Sequence, residues 1–126
     1  MSKRRTLVAV VDDEESIRKA LTRLLSSAGL DVETFPSGLE FLDFLKDHRP
    51  DCVLLDLHMP VMDGFDVLGR LDRAGLRLPI IITTGHDSSE ARERAMAARP
   101  SAYLRKPVDD RTLLDAIELA CQPAKS

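Results

Sequence analysis

The sequence predicts an α/β protein, a three-layer sandwich in which a parallel sheet of five strands lies between two layers of helices. One observation behind this prediction is that short aliphatic runs alternate with segments whose apolar residues recur every three or four positions. Another is that three of the runs are continuously apolar, which is typical of strands covered on both faces. The chain has 126 residues, 44% of them hydrophobic and 31% charged. This length and composition suit one domain over residues 1–126, with a core from about residue 7 to residue 121.

Five segments have the composition of strands. The three continuous aliphatic runs are expected at the centre of the sheet, and the two less apolar segments at its edges. In chain order the predicted strands are LVAVV (7–11), DVETFP (31–36), CVLLDL (52–57), LPIIITTG (78–85) and SAYLRK (101–106).

Five segments with helical periodicity follow these strands. The first is expected to stop at Gly29, and Ser37 and Glu40 have the spacing of a capping box at the start of the second. The apolar stripe predicted on the first helix consists of Ile17, Leu21, Leu24 and Ala28, and that on the last of Leu113, Leu114, Ile117 and Cys121. The predicted helices cover residues 15–29, 38–48, 64–75, 88–98 and 109–122.

The alternation of strands and helices predicts how the chain is wound. Parallel strands need helical crossovers, so each helix is expected to carry the chain back to the start of the next strand. The resulting fold is flavodoxin-like, a (βα)5 unit with strand order 2-1-3-4-5. Ligands of such sheets collect at the carboxyl ends of the strands, where the strand order reverses, here between the first and the third strand.

Carboxylates stand where these two strands end. Asp12 and Asp13 follow the first aliphatic run, and Asp56 follows the third. Like charges crowded together cost free energy, so a cation is expected among them. Carboxylate oxygens around an open position suit Mg²⁺. The alternative is that Asp13 only caps the following helix.

Two further strands end in residues that suit a phosphoryl group. The fourth places Thr83 or Thr84 at the rim beside Gly85, and the fifth ends in Lys106, a point charge suited to phosphate oxygens. Aspartate is an established acceptor in covalent phosphoryl chemistry. Transfer needs mainly alignment and charge neutralisation, which a metal and a lysine can supply.

These motifs together resemble a known family. VVDDEE, LLDLHMPVMDG, ITTGH and YLRKP occur in the order and at the spacing seen in the receiver domains of bacterial two-component response regulators, and the resemblance covers residues 7–121. VETFPSGLEFL, together with ITTGH, is most similar to receivers of the nitrogen-fixation regulator type, which are attached to helix-turn-helix DNA-binding domains.

The resemblance implies an acceptor and a metal site. Asp56 would accept the phosphoryl group from the phosphohistidine of a sensor kinase or a phosphotransfer protein. Asp13, Asp56 and the backbone carbonyl of His58 would bind Mg²⁺, with Asp12 helping through water. Apart from its own phosphorylation and dephosphorylation, the domain would not be an enzyme.

The resemblance also implies a switch. Lys106 would hold one phosphoryl oxygen, and Thr84 would swing to donate a hydrogen bond to another. Tyr103 would then turn inward into the vacated space, unless it is simply an edge-strand aromatic. The Lys106–Pro107 bond would be cis. The surface of helix 4, strand 5 and helix 5 would read out phosphorylation, with homodimerisation as one outcome.

The sequence departs from the family pattern before the aromatic residue of the fifth strand. Arg99, Pro100 and Ala102 stand where the family usually has Gly, Ala and an acid, so the fourth helix is expected to end differently. His58 and His86 border the predicted phosphoryl position. They either tune hydrolysis of the acyl phosphate or are unrelated loop histidines in solvent.

Three other functions compete with this interpretation. A phosphatase of the haloacid-dehalogenase type needs a second acid two residues after the nucleophile, where this chain has His58. A flavin-binding carrier needs a phosphate cradle after the first strand, where DDEES would repel one. A receiver-like interaction module without phosphorylation is the third, and the complete set of acids, hydroxyl and lysine argues against it.

Composition limits the binding partners and the cellular compartment that are expected for this chain. A net charge of −3 gives no reason to expect nucleic-acid binding by this chain alone. No apolar run is long enough for a bilayer, and the short apolar stretch after MSKRR argues against a signal peptide, so a cytoplasmic protein is expected. Cys52 and Cys121 are expected to be reduced, packed thiols. We expect either a stand-alone receiver or part of a longer regulator, with QPAKS as a tail or the start of a linker.

Overall fold

The computed structural model describes residues 5–122, and within them five strands alternate with five helices. The strands are β1 (Leu7–Val11), β2 (Asp31–Phe35), β3 (Cys52–Asp56), β4 (Ile80–Thr84) and β5 (Ala102–Arg105). The helices are α1 (Glu15–Ser27), α2 (Gly38–Phe44), α3 (Gly64–Arg73), α4 (Ser89–Met96) and α5 (Asp110–Ala120). The basic start of the chain and nearly all of the predicted tail lie outside the described residues.

The five strands form one sheet in the order β2-β1-β3-β4-β5, and every neighbouring pair is parallel. The predicted fold class and strand order are therefore confirmed. The register aligns the carboxyl ends: Val11 of β1 lies opposite Leu55 of β3. Asp56 of β3 lies opposite Thr83 of β4.

The core has two halves, one on each face of the sheet. Ala9 and Val11 pack into one half with residues of α2 and α3, whereas Val8 and Val10 pack into the other with residues of α1 and α5. Successive side chains of a strand point to opposite faces, so an unbroken aliphatic run fills both halves. As predicted, β1, β3 and β4 are the buried strands, and the edge strands β2 and β5 retain exposed residues.

Two details of the helices differ from the prediction. On α1, Ala28 is exposed because the helix ends at Ser27, and Leu25 is the buried residue of this helix. The second helix was predicted to reach residue 48 but ends at Phe44. Its next amides, those of residues 46 and 47, bond three rather than four residues back, which tightens the last turn.

The end of α4 shows what replaces the missing glycine. α1 and α3 are each followed by a glycine with positive φ, Gly29 at 86° and Gly75 at 69°. After α4 the same left-handed conformation is adopted by Arg99, with φ 54°. This helix does end differently from α1 and α3, because its positive-φ residue stands two residues after the C-cap instead of one, and a bulkier residue is held in the conformation that glycine favours.

Within residues 5–122, no helix combines the length and the apolar character that crossing a membrane would require.

Candidate functional site

Three carboxylates meet at the carboxyl edge of the sheet, at the point where the strand order reverses. Asp12 and Asp13 follow β1, and Asp56 ends β3. One oxygen of each lies within 4.8 Å of the others. Asp12 is 2% exposed and Asp56 4%, whereas Asp13 is open to solvent. Their convergence leaves little water to screen the like charges, which is the condition under which a cation stabilises a site.

Asp12 is held at each of its polar atoms. Its amide donates to the carbonyl of Phe35 at 3.1 Å, and its own carbonyl accepts from Nη1 of Arg18 at 2.9 Å. Its Oδ1 accepts from the amide of Glu14 at 3.0 Å, and its Oδ2 from Nζ of Lys106 at 2.8 Å. With both carboxylate oxygens engaged by the protein, Asp12 is better suited to orient a water molecule than to bind a metal directly.

Asp13 has the opposite character. Its side chain has no hydrogen-bond or ion-pair partner among residues 5–122. The N-cap of α1 is Glu14, with no side-chain cap, so the alternative that Asp13 caps this helix is wrong. An exposed carboxylate beside two buried ones keeps its lone pairs free for a metal.

Lys106 bridges the two buried acids. Its Nζ lies 2.8 Å from Oδ2 of Asp12 and 3.4 Å from Oδ1 of Asp56. Burial lowers the pKa of the lysine, but the hydrogen bond to Asp12 and the charges of both acids outweigh it, so the pKa is raised above its ordinary value. The peptide bond after Lys106 is cis, as the resemblance implied.

Ionisation of Asp56 is disfavoured by its surroundings. Burial raises the pKa of its carboxyl, the charge of Lys106 lowers it and the charge of Asp12 raises it, with the net result above the ordinary value. One lysine therefore does not compensate for burial and a second acid. A divalent cation would favour the ionised form that a nucleophile needs.

The two threonines at the end of β4 face opposite sides of the sheet. Thr83 lines a cavity of about 520 Å³ between α1 and α5, together with Asp12 and Lys106. Thr84 is fully buried, lines a cleft beside Tyr103, and its Oγ1 accepts from the amide of His86 at 3.0 Å. The amide of His58 donates in the same way to Oδ1 of Asp56, at 3.4 Å.

Tyr103 contacts a loop acid, Asp87, and none of the three clustered carboxylates. Its hydroxyl donates to Oδ1 of Asp87 at 2.8 Å, and the guanidinium of Arg92 lies 5.3 Å from its ring centroid. Arg105 lies 3.8 Å from the other oxygen of Asp87. Burial raises the pKa of the Tyr103 phenol, and the hydrogen bond to Asp87 raises it further. Sequence reasoning missed Asp87, because a single acid in a loop gives no sign of a partner on another strand.

His58 and His86 contact each other. Their rings are perpendicular with centroids 4.9 Å apart, although both side chains are exposed. The ring contact therefore joins the loop after β3 to the loop after β4.

The loop after β3 is anchored by packing. Met59 and Met62 are buried in the core. Between them Val61 is 97% exposed with φ 69°, and the amide of Met62 bonds to the carbonyl of Pro60 at 2.8 Å. This is the pattern of a classic γ-turn, which is strained for a β-branched residue.

The loop ends in a close backbone approach at Gly64. A Cβ atom on this residue would lie 2.8 Å from the carbonyl oxygen of Asp56 and 2.8 Å from Cα of Leu57. Only glycine therefore fits there without displacing the end of β3.

Comparison with known proteins gives a family match over most of the chain. The model of the response regulator receiver domain matches residues 8–118. The response regulator MprA of Mycobacterium sp. (strain KMS) is 41% identical over 100 residues, which are 79% of this chain and 44% of that protein. The response regulator protein TodT of Pseudomonas putida (strain F1) is 35% identical over 124 residues, 98% of this chain and 55% of that protein.

A solved structure has the same fold as this chain. The crystal structure of FixJ-N superposes with a TM-score of 0.87 at 33% identity, covering 98% of this chain and 99% of that one. The chain spans about half the length of the curated relatives it matches.

Proposed function

The chain belongs to the response regulator receiver domain family of two-component systems, and from that premise we propose that Asp56 is its phosphoacceptor. The donor is the phosphohistidine of a sensor kinase or of a phosphotransfer protein. One domain, from about residue 7 to residue 121, carries this function. A cytoplasmic location is part of the proposal.

The observation that carries the proposal is the cluster itself. Three carboxylates lie within 4.8 Å of one another, and the ammonium of Lys106 bridges the two buried ones. The repulsion within such a cluster costs stability unless a cation compensates the negative charge. All the donors are oxygens, which fits Mg²⁺.

We assign the metal ligands accordingly. Asp13, Asp56 and the backbone carbonyl of His58 would hold Mg²⁺ directly, and Asp12 would do so through water. The bound ion would supply neutralisation of charge on the transferring phosphoryl oxygens.

The chain's own residues carry the transfer. A carboxylate oxygen of Asp56 attacks phosphorus as the phosphorus–nitrogen bond to the donor histidine breaks, and the freed electron pair stays on the imidazole. Lys106, already 3.4 Å from Asp56, stabilises a phosphoryl oxygen as a point charge. The Thr84 hydroxyl donates to another.

The readout follows from Thr84 and Tyr103. When Thr84 turns towards the phosphoryl group, Tyr103 leaves Asp87 and moves inward. This changes the surface formed by α4, β5 and α5, through which a second copy of the chain would bind. His58 and His86 control the access of water to the acyl phosphate and so set its lifetime.

The phosphorylation experiment uses acetyl phosphate with Mg²⁺ and mass spectrometry. We expect one phosphoryl group per chain, lost in the Asp56→Asn variant and retained in Asp43→Asn, an exposed acid on α2. Labelling of Asp56→Asn, or no labelling of the natural sequence, would contradict the assignment and leave an interaction module as the function.

Size measurement with beryllofluoride and Mg²⁺ tests the readout. A larger species that forms with the natural sequence, and does not form with Asp56→Asn, is expected. Turnover of an added phosphomonoester would instead favour the phosphatase alternative.

A further inference from the structure

The fold brings the two cysteines of the chain together. Cys52 is the first residue of β3, and Cys121 follows directly after α5. Both contribute to the core half between the sheet and the layer of α1 and α5, where Cys52 is fully buried and Cys121 half-buried. Their thiols lie close enough within this core half to interact with each other.

Both backbones are held in place. Cys52 lies between β1 and β4 in the middle of the sheet, paired with Val8. The amide of Cys121 donates to the carbonyl of Ile117 at 2.9 Å, which extends the last turn of α5. Two thiols in contact on rigid elements lose little further freedom when they are joined.

The two thiols differ in reactivity. Burial raises the pKa of both thiols, so little reactive thiolate is present and both react slowly. Cys121 is the more exposed of the two, so it is the thiol that meets an oxidant first.

We propose that Cys52 and Cys121 form a redox modification site, which a peroxide converts into an intramolecular disulfide that ties the end of α5 to β3.

The chemistry balances with hydrogen peroxide as the oxidant. The thiolate of Cys121 attacks one oxygen, a sulfur–oxygen bond forms as the oxygen–oxygen bond breaks, and water leaves after protonation. The sulfur of Cys52 then attacks that of Cys121, the sulfur–sulfur bond forms, and a second water leaves with the proton of Cys52. The two thiols together lose two electrons, which reduce one peroxide to two waters.

The disulfide would act at a distance from the acids. Cys52 and Asp56 are the two ends of β3, about 13 Å apart at the rise of a strand. Oxidation therefore leaves the carboxylate cluster untouched and restrains α5, an element of the proposed readout surface. It closes a long loop of chain, which constrains the unfolded state.

The decisive experiment treats the full chain with hydrogen peroxide, quenches it, and then unfolds it in the presence of an alkylating agent. We expect a monomer that has lost two hydrogen atoms in mass and takes up no alkyl group. Reduction should restore two alkylation sites, and peptide mapping should join Cys52 to Cys121. A chain whose Cys52 is still alkylated, a disulfide between two chains, or no oxidation after prolonged treatment with excess peroxide would each overturn the proposal.

Two variants assign the order of the steps. Cys121→Ser should leave Cys52 unoxidised at the same dose, because the oxidised sulfur that Cys52 attacks can no longer form. Cys52→Ala should stop at a sulfenic acid on Cys121, captured by dimedone. Rapid oxidation of Cys52 in Cys121→Ser would contradict the assignment, and this result does not depend on the buried Cys52→Ala variant being stable.

Thermal unfolding tests whether the native geometry accepts the bond. We expect the oxidised protein to melt roughly 5–10 °C higher than the reduced protein. A lower Tm after oxidation would show that the bond distorts the fold, and it would rule out a disulfide of the native state.

Discussion

At the scale of single residues, the acids of the site differ in which protein groups already contact them. Asp12 has a protein partner at each polar atom, whereas the side chain of Asp13 has none among residues 5–122. The two are adjacent in the sequence and look equivalent there. Arg18 and Lys106, which engage Asp12, make them different.

Arg18 is the positioning residue in this arrangement. It reaches back from the first turns of α1 to the carbonyl of Asp12, so it holds the loop that carries both acids. Arg18→Met keeps most of the apolar stem and removes the donor. We expect Mg²⁺ affinity to fall roughly tenfold, as for other groups that orient metal ligands, measured by calorimetry. Arg18→Lys should recover part of it.

Lys19→Met is the matched control for Arg18. Lys19 neighbours Arg18 on α1 and forms only an exposed pair with Glu15 at 3.7 Å, which contributes little. Equal Mg²⁺ affinities for the Arg18 and Lys19 variants would show that Arg18 does not position the loop.

The raised pKa of Asp56 predicts how stability depends on pH without a metal. Folding favours the protonated carboxyl, so the contribution of Asp56 is fully present below the ordinary carboxyl pKa and is lost as the pH rises through the folded-state value. Asp56→Asn should therefore be more stable than the natural sequence at pH 7 in a chelator. The difference should shrink as the pH falls. Urea unfolding at several pH values measures it.

The control for this pH series is the same pair of proteins in saturating Mg²⁺. The ion should stabilise the ionised Asp56 and reduce or reverse the advantage of the variant at pH 7. A difference in stability that stays constant across the pH range would mean that ionisation of Asp56 is not its cause.

At the scale of elements, the junction between β3 and α3 depends on Gly64. Gly64 has no room for a Cβ atom, whereas the nearest atom to one on Gly69, also in α3, would be 3.6 Å away. Gly64→Ala should cost about 1–3 kcal/mol of stability by overpacking, and it should weaken Mg²⁺ binding because the end of β3 must shift.

Gly69→Ala in the same helix should stabilise the protein by about 0.5–1 kcal/mol, since Ala loses less entropy there. Denaturant unfolding of both variants compares the two effects. If Gly64→Ala were as stable as the natural sequence, the close approach to Asp56 would not be a real constraint.

At the end of α4, introducing a glycine is expected to stabilise the protein. Arg99 holds a left-handed conformation that costs an L residue about 1–2 kcal/mol. Arg99→Gly should raise the free energy of unfolding by about 1 kcal/mol. Ala97→Gly, at a right-handed position with φ −62°, should lower it by up to about 1 kcal/mol. Equal effects of the two substitutions would contradict the strain at Arg99.

At the scale of the whole molecule, the site exists only because four strands end together. β1 and β3 supply the acids, β4 the hydroxyl and β5 the lysine, and the parallel register places their carboxyl ends at one edge. Binding of a cation there should stabilise the entire fold, because the unfolded chain has no such cluster.

Asp13→Asn tests this coupling between the site and global stability. We expect Mg²⁺ at about one hundred times its Kd to stabilise the natural sequence by about 2.7 kcal/mol, seen as a rise in Tm. Asp13→Asn should lose most of this rise and keep its metal-free stability within about 0.5 kcal/mol, since Asp13 is exposed.

Glu14→Gln, at the next exposed acid, is the matched control for Asp13→Asn. It removes the same charge from the same loop and should keep the rise in Tm. If the two variants responded alike, general electrostatic screening rather than ligation would explain the effect of Mg²⁺.

The sequence by itself determined the element types, the strand order and the acids and lysine that meet at the carboxyl edge of the sheet. It could do so because periodicity and strand ends are local properties, and because the rules of parallel winding then leave few ways to order the strands. Element ends were less well predicted, as at α2, because the last turn depends on which amides find partners.

Only the tertiary structure decided how side chains from distant segments meet. The contacts of Tyr103 with Asp87, of His58 with His86 and of Cys52 with Cys121 join different elements. No local pattern specifies which neighbour a side chain finds. The strain at Val61 and Arg99 has the same origin, because packing around those positions overrides the conformation that each residue would prefer alone.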